Sequence, residues 1–328
     1  MLLNPVVEPG QDPWIVHHDG AYHLVQSTPD ARALTIRRSA TLAGLGAADA
    51  VVIWRGYGDR CCELWAPELF RFGDRWYIYV AADDGDNHNH RMYVLGSRGD
   101  DPFGPYTDLG RIAAVTDRWA IDGTVLRWPD GRLYFVWSGW AGRRNVAQNL
   151  YIAPMADPVT IVGDRSLICE PTLPWERHGG PPYVVEGPAA LTRGDRIFLT
   201  YSASGSWTDR YCLGMLATDV GRDPTRQASW RKSARPVFAG IATAYGPGHN
   251  SFFTSPDGSE LWLAYHANRR AGAGWGGRSV RAQPVRWGAD GTPWFGKPAP
   301  VGAPLVPPSG EYHPPGDGGP SPDGHRAR

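Results

Sequence analysis

A polar two-residue turn followed by a run of alternating aromatic and aliphatic residues recurs five times along this 328-residue chain. The turns are Asp19-Gly20, Gly73-Asp74, Asp130-Gly131, Gly194-Asp195 and Asp257-Gly258, and the runs begin at Tyr22, Trp76, Leu133, Ile197 and Leu261. Gly and Asp supply the backbone conformations of tight reversals, so a turn of this kind beside a strand-like run reads as a β-hairpin. The period of roughly sixty residues suits a sheet of about four short strands, and such self-similarity signals stacked or radial repeats. The expectation is an all-β chain: a five-bladed β-propeller with a central active-site channel, lined by its innermost strands. Residues at one repeat position then converge on a common space although they are far apart in sequence.

Counting back from each run places Asp12 ten residues before it, Trp65, Asp122 and Glu186 eleven, and His249 twelve. Two aspartates, a glutamate and a histidine thus share one place in the repeat. Each alone has a bland reading. Asp12-Pro13 and Asp122-Gly123 are common turn pairs, and Glu186-Gly187-Pro188 suits a surface loop. Trp65 suits a core, and His249 suits a hydrogen-bonded interior position. The shared register turns the separate residues into a candidate site.

The repeats run from the first dozen residues past Trp262 without a linker, so residues 1–306 read as one catalytic domain and 307–328, rich in Pro and Gly, as a flexible C-terminal tail. Thirty-three basic residues balance thirty-three acidic ones, which gives the chain no electrostatic reason to seek nucleic acid or an anionic membrane. No apolar stretch approaches the roughly twenty residues that cross a bilayer. Cys61, Cys62, Cys169 and Cys212 lack metal-site spacing and read as buried or free thiols. The start, Met1-Leu2-Leu3-Asn4-Pro5, has no basic n-region, which points to the cytoplasm, or to secretion if a leader has been removed. The polar run Asp83–His90 reads as a solvated loop near the channel mouth, since two histidines do not make a closed metal site.

The segments Gln11-Asp12-Pro13-Trp14, Trp65-Ala66-Pro67-Glu68, Ile121-Asp122-Gly123, Val185-Glu186-Gly187-Pro188 and Gly248-His249-Asn250 resemble, in this order, those of glycoside hydrolase family 43. Gly277-Arg278-Ser279 is similar to the family's closing segment, so the resemblance covers about Asn4 to Phe295. It implies a propeller enzyme that removes arabinose or xylose from plant polysaccharides with inversion. Asp12 is then the general base, Glu186 the general acid, and Asp122 the residue that tunes the acid and orients the sugar. Inversion needs one protonated carboxyl and one ionised carboxylate, roughly 6.5–9.5 Å apart, on opposite faces of the sugar. Blades one and four can supply that pair across a channel. Glu186 is expected to stay protonated through desolvation or a nearby negative charge, for which Asp122 is the candidate, and donors or cations are expected around Asp12.

The resemblance also implies that Trp65 is a sugar platform, that Arg278 stands at the rim of the sugar site, and that His249 contacts a structural calcium in the channel, an ion the chemistry itself does not require. Trp14, next to the base, and Trp207, after the fourth hairpin, are further candidates for substrate-binding walls. Glu63–Glu68 and Ala81–Gly85 resemble the arabinofuranosidase-type members, which makes α-L-arabinofuranosyl release from arabinan, arabino-oligosaccharides or arabinoxylan the expected activity. A β-xylosidase or endo-arabinanase of the same fold is the alternative within the family. A carbohydrate-binding propeller without catalysis is the alternative outside enzymes, and burying several carboxyls together would gain it nothing.

Overall fold

The computed structural model describes residues 1–311, and these are almost entirely strand, turn and short 3-10 helix. After β1 (Leu2–Leu3) comes a meander of β2 (Trp14–His18), β3 (Ala21–Ser27), β4 (Ala33–Ser39) and β5 (Val51–Arg55). The second meander is β6 (Cys62–Phe72), β7 (Arg75–Asp83), β8 (Arg91–Ser97) and β9 (Tyr106–Arg111). A third contains β10 (Ala120–Arg127), β11 (Leu133–Trp140) and β12 (Ala147–Asp157), with β13 (Thr160–Ile161) and β14 (Ser166–Cys169) both on β12. The fourth is β15 (Tyr183–Arg193), β16 (Arg196–Ala203), β17 (Cys212–Asp219) and β18 (Arg231–Lys232). The last is β19 (Tyr245–Thr254), β20 (Leu261–Asn268), β21 (Arg278–Trp287) and β22 (Pro293–Trp294), followed by β23 (Pro304–Leu305). Every expected turn joins the first two strands of a meander, from Asp19-Gly20 between β2 and β3 to Asp257-Gly258 between β19 and β20.

The apolar faces of successive meanders pack on one another. Val25, Leu34 and Ile36 meet Leu69, Ile78 and Val80, while Tyr79 and Val94 meet Phe135 and Trp137. Val136 and Ile152 meet Leu199 and Leu216, and Phe198 and Met215 meet Leu263 and Tyr265. Finally Phe253 and Trp262 meet Ile15, Tyr22 and Leu24 of the first meander, which closes the ring. A sheet buried on both faces reads as a near-continuous apolar run, which is why the second strands of the meanders are so rich in aromatic and branched residues. The all-β propeller expected from the repeats is the fold.

The N-terminal segment locks the ring: β1 pairs with β23, Val6 and Val7 bridge to Val280, and the Asn4 side chain makes hydrogen bonds with both Ala282 N and Ala282 O. Part of the stretch read as a tail is bound to this surface too. Ser309 donates to Asp257 and Glu260, and Glu311 accepts from Leu42 N. The tail from residue 312 onward lies outside the described residues.

The position that faces the channel has its own backbone signature. Strand register breaks between Trp65 and Glu68, between Ile121 and Thr124, between Glu186 and Ala189, and between Gly248 and Ser251. Within these breaks φ is 45° at Ala66, 55° at Asp122, 54° at Gly187 and 48° at His249, and Asp12, just before β2, has φ 45°. A bulge bends its strand and re-aims a side chain. A left-handed non-glycine residue costs roughly 1–2 kcal/mol, which the surrounding packing has to offset. The repeat seen in sequence is therefore real, with an offset. Asp12, Asp122 and His249 occupy the left-handed position, whereas Trp65 and Glu186 stand one residue before it.

Two sequence expectations are corrected. Cys61 and Cys62 are joined to each other in a disulfide between neighbouring residues, while Cys169 and Cys212 are the buried free thiols expected. Adjacent cysteines close no loop, so the spacing argument for frameworks could not detect the bond. In the run Asp83–His90 the middle is exposed as expected, but its two ends are buried and their side chains lie 3.1 Å apart.

Candidate active site

Asp12 approaches the channel from the closing segment, where Gly10 N donates to Arg278 O. Three basic side chains surround its Oδ1: His266 Nδ1 at 3.1 Å, His249 Nδ1 at 3.4 Å and Arg278 Nη1 at 3.5 Å. His266 Nδ1 is also 3.2 Å from Asp12 N, so its tautomer decides whether the ring bonds the carboxylate or the amide. Burial by itself would raise the carboxyl, yet its basic neighbours, His249 foremost and then His266 and Arg278, hold it well below the usual carboxylate range. Burial in turn lowers both imidazoles, His266 to about 3, so near neutral pH the histidines serve as hydrogen-bonding neighbours and Arg278 is the standing cation.

The opposite holds for the carboxyls of the third and fourth meanders. Asp122 is buried at its bulge and accepts from Gly187 N at 3.0 Å, which ties β10 to β15. Burial and then the neighbouring Glu186 and Asp12 push it well above the usual range. Glu186, also buried, receives a 2.7 Å hydrogen bond from the Tyr211 hydroxyl, and burial, with the charge of Asp12, raises it to about 7. Of the two causes expected for the raised Glu186, burial is the larger, and the nearby charge is that of Asp12 rather than Asp122. The two neighbouring carboxyls, Asp122 and Glu186, titrate as a pair rather than singly.

His249 Nδ1 stands 3.4 Å from Asp12 and 3.9 Å from Asp122, and its backbone N–H donates to Ser202 Oγ. One ligand atom from each of Asp122, Glu186 and His249 falls within 4.8 Å of the others. These donors alone do not complete the shell of calcium, which takes six to eight oxygens, and a cation here would favour the ionised form of carboxyls that burial raises. His249 thus neighbours Asp12 and Asp122 and, with Asp122 and Glu186, forms a trio that could hold an ion, of which only part of a calcium shell would come from these side chains.

Arg278 is expected at the rim, but it is only 8% exposed, with Nη1 toward Asp12 and Gln11 and Nη2 donating to Ser206 O. Trp14 directs its indole N–H to Leu69 O at 2.7 Å and packs on Phe70, so it joins β2 to β6. Trp65 lies half-buried, stacked on His90 at 4.1 Å and bonded to Glu63. Trp207 is half-buried with its edge toward Trp275, whose indole N–H reaches Ser206. Reading the repeat alone misses Tyr211, His266 and Glu68. The last is a buried carboxyl on β6 that desolvation raises well above its usual range. His266 follows the aromatic run of the fifth meander, where a polar residue in an apolar strand is the available signal.

A basic-lined carboxylate and a buried carboxyl pair can activate water and deliver a proton within one channel. Known proteins carry related sequences on a similar fold. Residues 2–293 match the family described as glycosyl hydrolases family 43. An extracellular exo-α-(1→5)-L-arabinofuranosidase of Streptomyces avermitilis is 39% identical over 93% of this chain and 65% of its own length. A Streptomyces chartreusis protein of the same name is 38% identical, with 81% of this chain and 82% of that one covered. Among solved structures, an α-L-arabinofuranosidase from Lactobacillus brevis superposes with TM-score 0.86 at 36% identity, covering 92% of this chain and 98% of its own. The chain spans only about two thirds of the length of the Streptomyces avermitilis relative and of one from Humicola insolens. Since the family match runs from the closing N-terminal segment to the last meander and takes in every residue of the channel site, this chain belongs to glycosyl hydrolases family 43.

Proposed function

We propose that this chain is an inverting glycoside hydrolase that releases α-L-arabinofuranosyl residues from arabinan, arabino-oligosaccharides or arabinoxylan, each meander being one blade of a five-bladed ring. The observation that carries the reading is the contrast between two enclosed carboxyls. Asp12 is held ionised by Arg278, His266 and His249, while Glu186 is kept protonated near neutral pH by burial. Divergent environments of this kind separate a base from an acid. Asp12 takes a proton from water as the water attacks the anomeric carbon; the glycosidic bond breaks with its electron pair on the leaving oxygen, and Glu186 protonates that oxygen. Asp122, bonded to Gly187 N beside the acid, tunes that acid and orients the sugar. No cofactor is needed for this chemistry.

The choice of arabinose rests on the names of the Streptomyces and Lactobacillus relatives. Two of those names carry the word extracellular, and with the Cys61–Cys62 bond they favour secretion over the cytoplasmic expectation. Trp65, Trp207 and Trp275 supply aromatic faces at the mouth for further sugar units. The test is a release assay on α-1,5-arabinan, arabinoxylan and xylo-oligosaccharides, with NMR observation of the first anomer formed. Arabinose released with inverted configuration is expected. Xylose release or a retained anomer would overturn the reading.

A further inference from the structure

We propose that Tyr211 is a positioning residue for the acid: its hydroxyl fixes which oxygen of Glu186 faces the leaving group and stabilises the carboxylate that forms when the proton departs. The inference rests on Glu186 being the acid.

The geometry is specific. Tyr211 is 1% exposed and donates to Glu186 Oε1 at 2.7 Å, which leaves Oε2 as the oxygen free to carry the transferable proton. Burial and the adjacent Glu186 push the phenol well above its usual range, so it stays a donor throughout. The ring is wedged in place. It stacks on His266 with centroids 5.7 Å apart and planes 7° from parallel, and a Cβ on Gly248 would come within 2.2 Å of Tyr211 Cε1 and 2.4 Å of Cδ1. The absence of a side chain at Gly248, next to His249, is what lets the ring lie there. One side of the stacked pair thus touches the acid, and the other, through His266 Nδ1 at 3.1 Å, touches Asp12.

The consequence for catalysis follows from charge. Before reaction the hydroxyl bonds a neutral acid. As the Oε2–H bond breaks and the proton passes to the glycosidic oxygen, the same hydroxyl bonds a developing carboxylate, and hydrogen bonds to an ionised acceptor are roughly twice as strong as neutral ones. An interaction that strengthens on the way to the transition state raises kcat rather than binding. Its value depends on how much protonation the leaving group needs. A sugar alkoxide needs it fully, whereas 4-nitrophenolate departs with little help.

The experiment compares Tyr211→Phe with the unmodified chain on α-1,5-arabinobiose and on 4-nitrophenyl α-L-arabinofuranoside. The phenylalanine keeps the ring and its stack and removes only the hydroxyl. We expect kcat on arabinobiose to fall about 10- to 100-fold, the worth of a hydrogen bond to a charged group, with KM unchanged. On the aryl glycoside the fall should stay under about threefold, since general acid catalysis contributes little to a good leaving group. Equal losses on both substrates, or no loss on either, would overturn the proposal, because a structural defect scales both rates alike. Should Tyr211→Phe not fold, 3-fluorotyrosine at position 211, which keeps the ring, its stack and its hydroxyl but alters the donor strength, is expected to change kcat on arabinobiose and leave the aryl glycoside unmoved, and equal changes on both or none on either would count equally against the idea. An unmodified chain that hydrolyses neither compound would instead reject the assignment of the enzyme itself.

Discussion

Keeping a buried carboxylate ionised takes donors or cations, and Asp12 has Arg278, His266 and His249 within 3.5 Å of one oxygen. Glu186 has a single phenolic donor and otherwise a desolvated setting. The pH dependence of hydrolysis follows from this difference, with the sign fixed by role. The base has to be ionised, so the acidic limb should lie below the usual carboxylate range. The acid has to be protonated, so activity should fall as pH rises through about 7. Asp122 sits on the same titration, because a negative charge beside Glu186 disfavours its ionisation and the effect is reciprocal. Asp122→Asn removes that titrating partner. It should move the basic limb of kcat/KM to lower pH and lower the maximum, measured on an arabino-oligosaccharide between pH 4 and pH 9 (on the order of the range set by ordinary carboxyl and histidine titration). A basic limb that stays in place would detach Asp122 from the acid. Replacing the base or the acid itself should be harsher: Asp12→Asn and Glu186→Gln are each expected to cost about 10²- to 10⁴-fold in kcat on natural glycans with the fold retained.

At the scale of the strand, the bulges are what aim these side chains. Asp122 holds φ 55° in the register break of β10, and Gly123 beside it has no room for a side chain, since a Cβ there would lie 2.2 Å from Phe135 Cζ and 2.9 Å from Met92 Cε. Gly123→Ala would force β10 away from β11 or push Phe135 off its place. A loss of about 1–3 kcal/mol is expected from such overpacking. Activity should fall alongside it, because Asp122 would lose its register with Gly187 N. Urea unfolding and kcat/KM on the same preparation check both, and full stability with full activity would show that the bulge tolerates a Cβ. The bulges also explain what could be read from the chain and what could not. Hairpins were legible because Asp-Gly and Gly-Asp pairs have few other uses between strand-like runs. Asp12, Asp122 and His249 were legible because the left-handed position happens to carry a polar residue there. At Ala66 and Gly187 it does not, so the count landed one residue early, on Trp65 and Glu186. Tyr211 precedes a third strand and His266 lies on a second, so no repeat count reaches them. Arg278 reads as a rim residue until β21 is seen to bury it against the closing segment.

For the molecule as a whole, ring closure and catalysis meet in the first dozen residues. A propeller fixes the relative positions of its sheets only when the last is joined to the first, and here the joint is made by the N-terminal segment. Asn4 binds Ala282 N and Ala282 O at 2.9 and 2.8 Å, Val280 N donates to Val7 O, and Gly10 N donates to Arg278 O. Asp12 follows directly, so the same lacing that closes the ring sets the carboxylate beside Arg278. Asn4 and Ala282 are both buried, and Asn4→Ala would strip two backbone groups of their partners with no water to replace them. Leaving a buried polar group unsatisfied costs about 1–3 kcal/mol, so the substitution should lower stability by roughly 2–4 kcal/mol. If closure also positions Asp12, the folded fraction of Asn4→Ala should show a reduced kcat well below its melting temperature, with its acidic limb moved toward ordinary carboxylate pH as Arg278 draws away from Asp12. A variant that melts earlier yet keeps its kcat and its acidic limb would confine the joint to stability and leave the placement of Asp12 to His266 and His249.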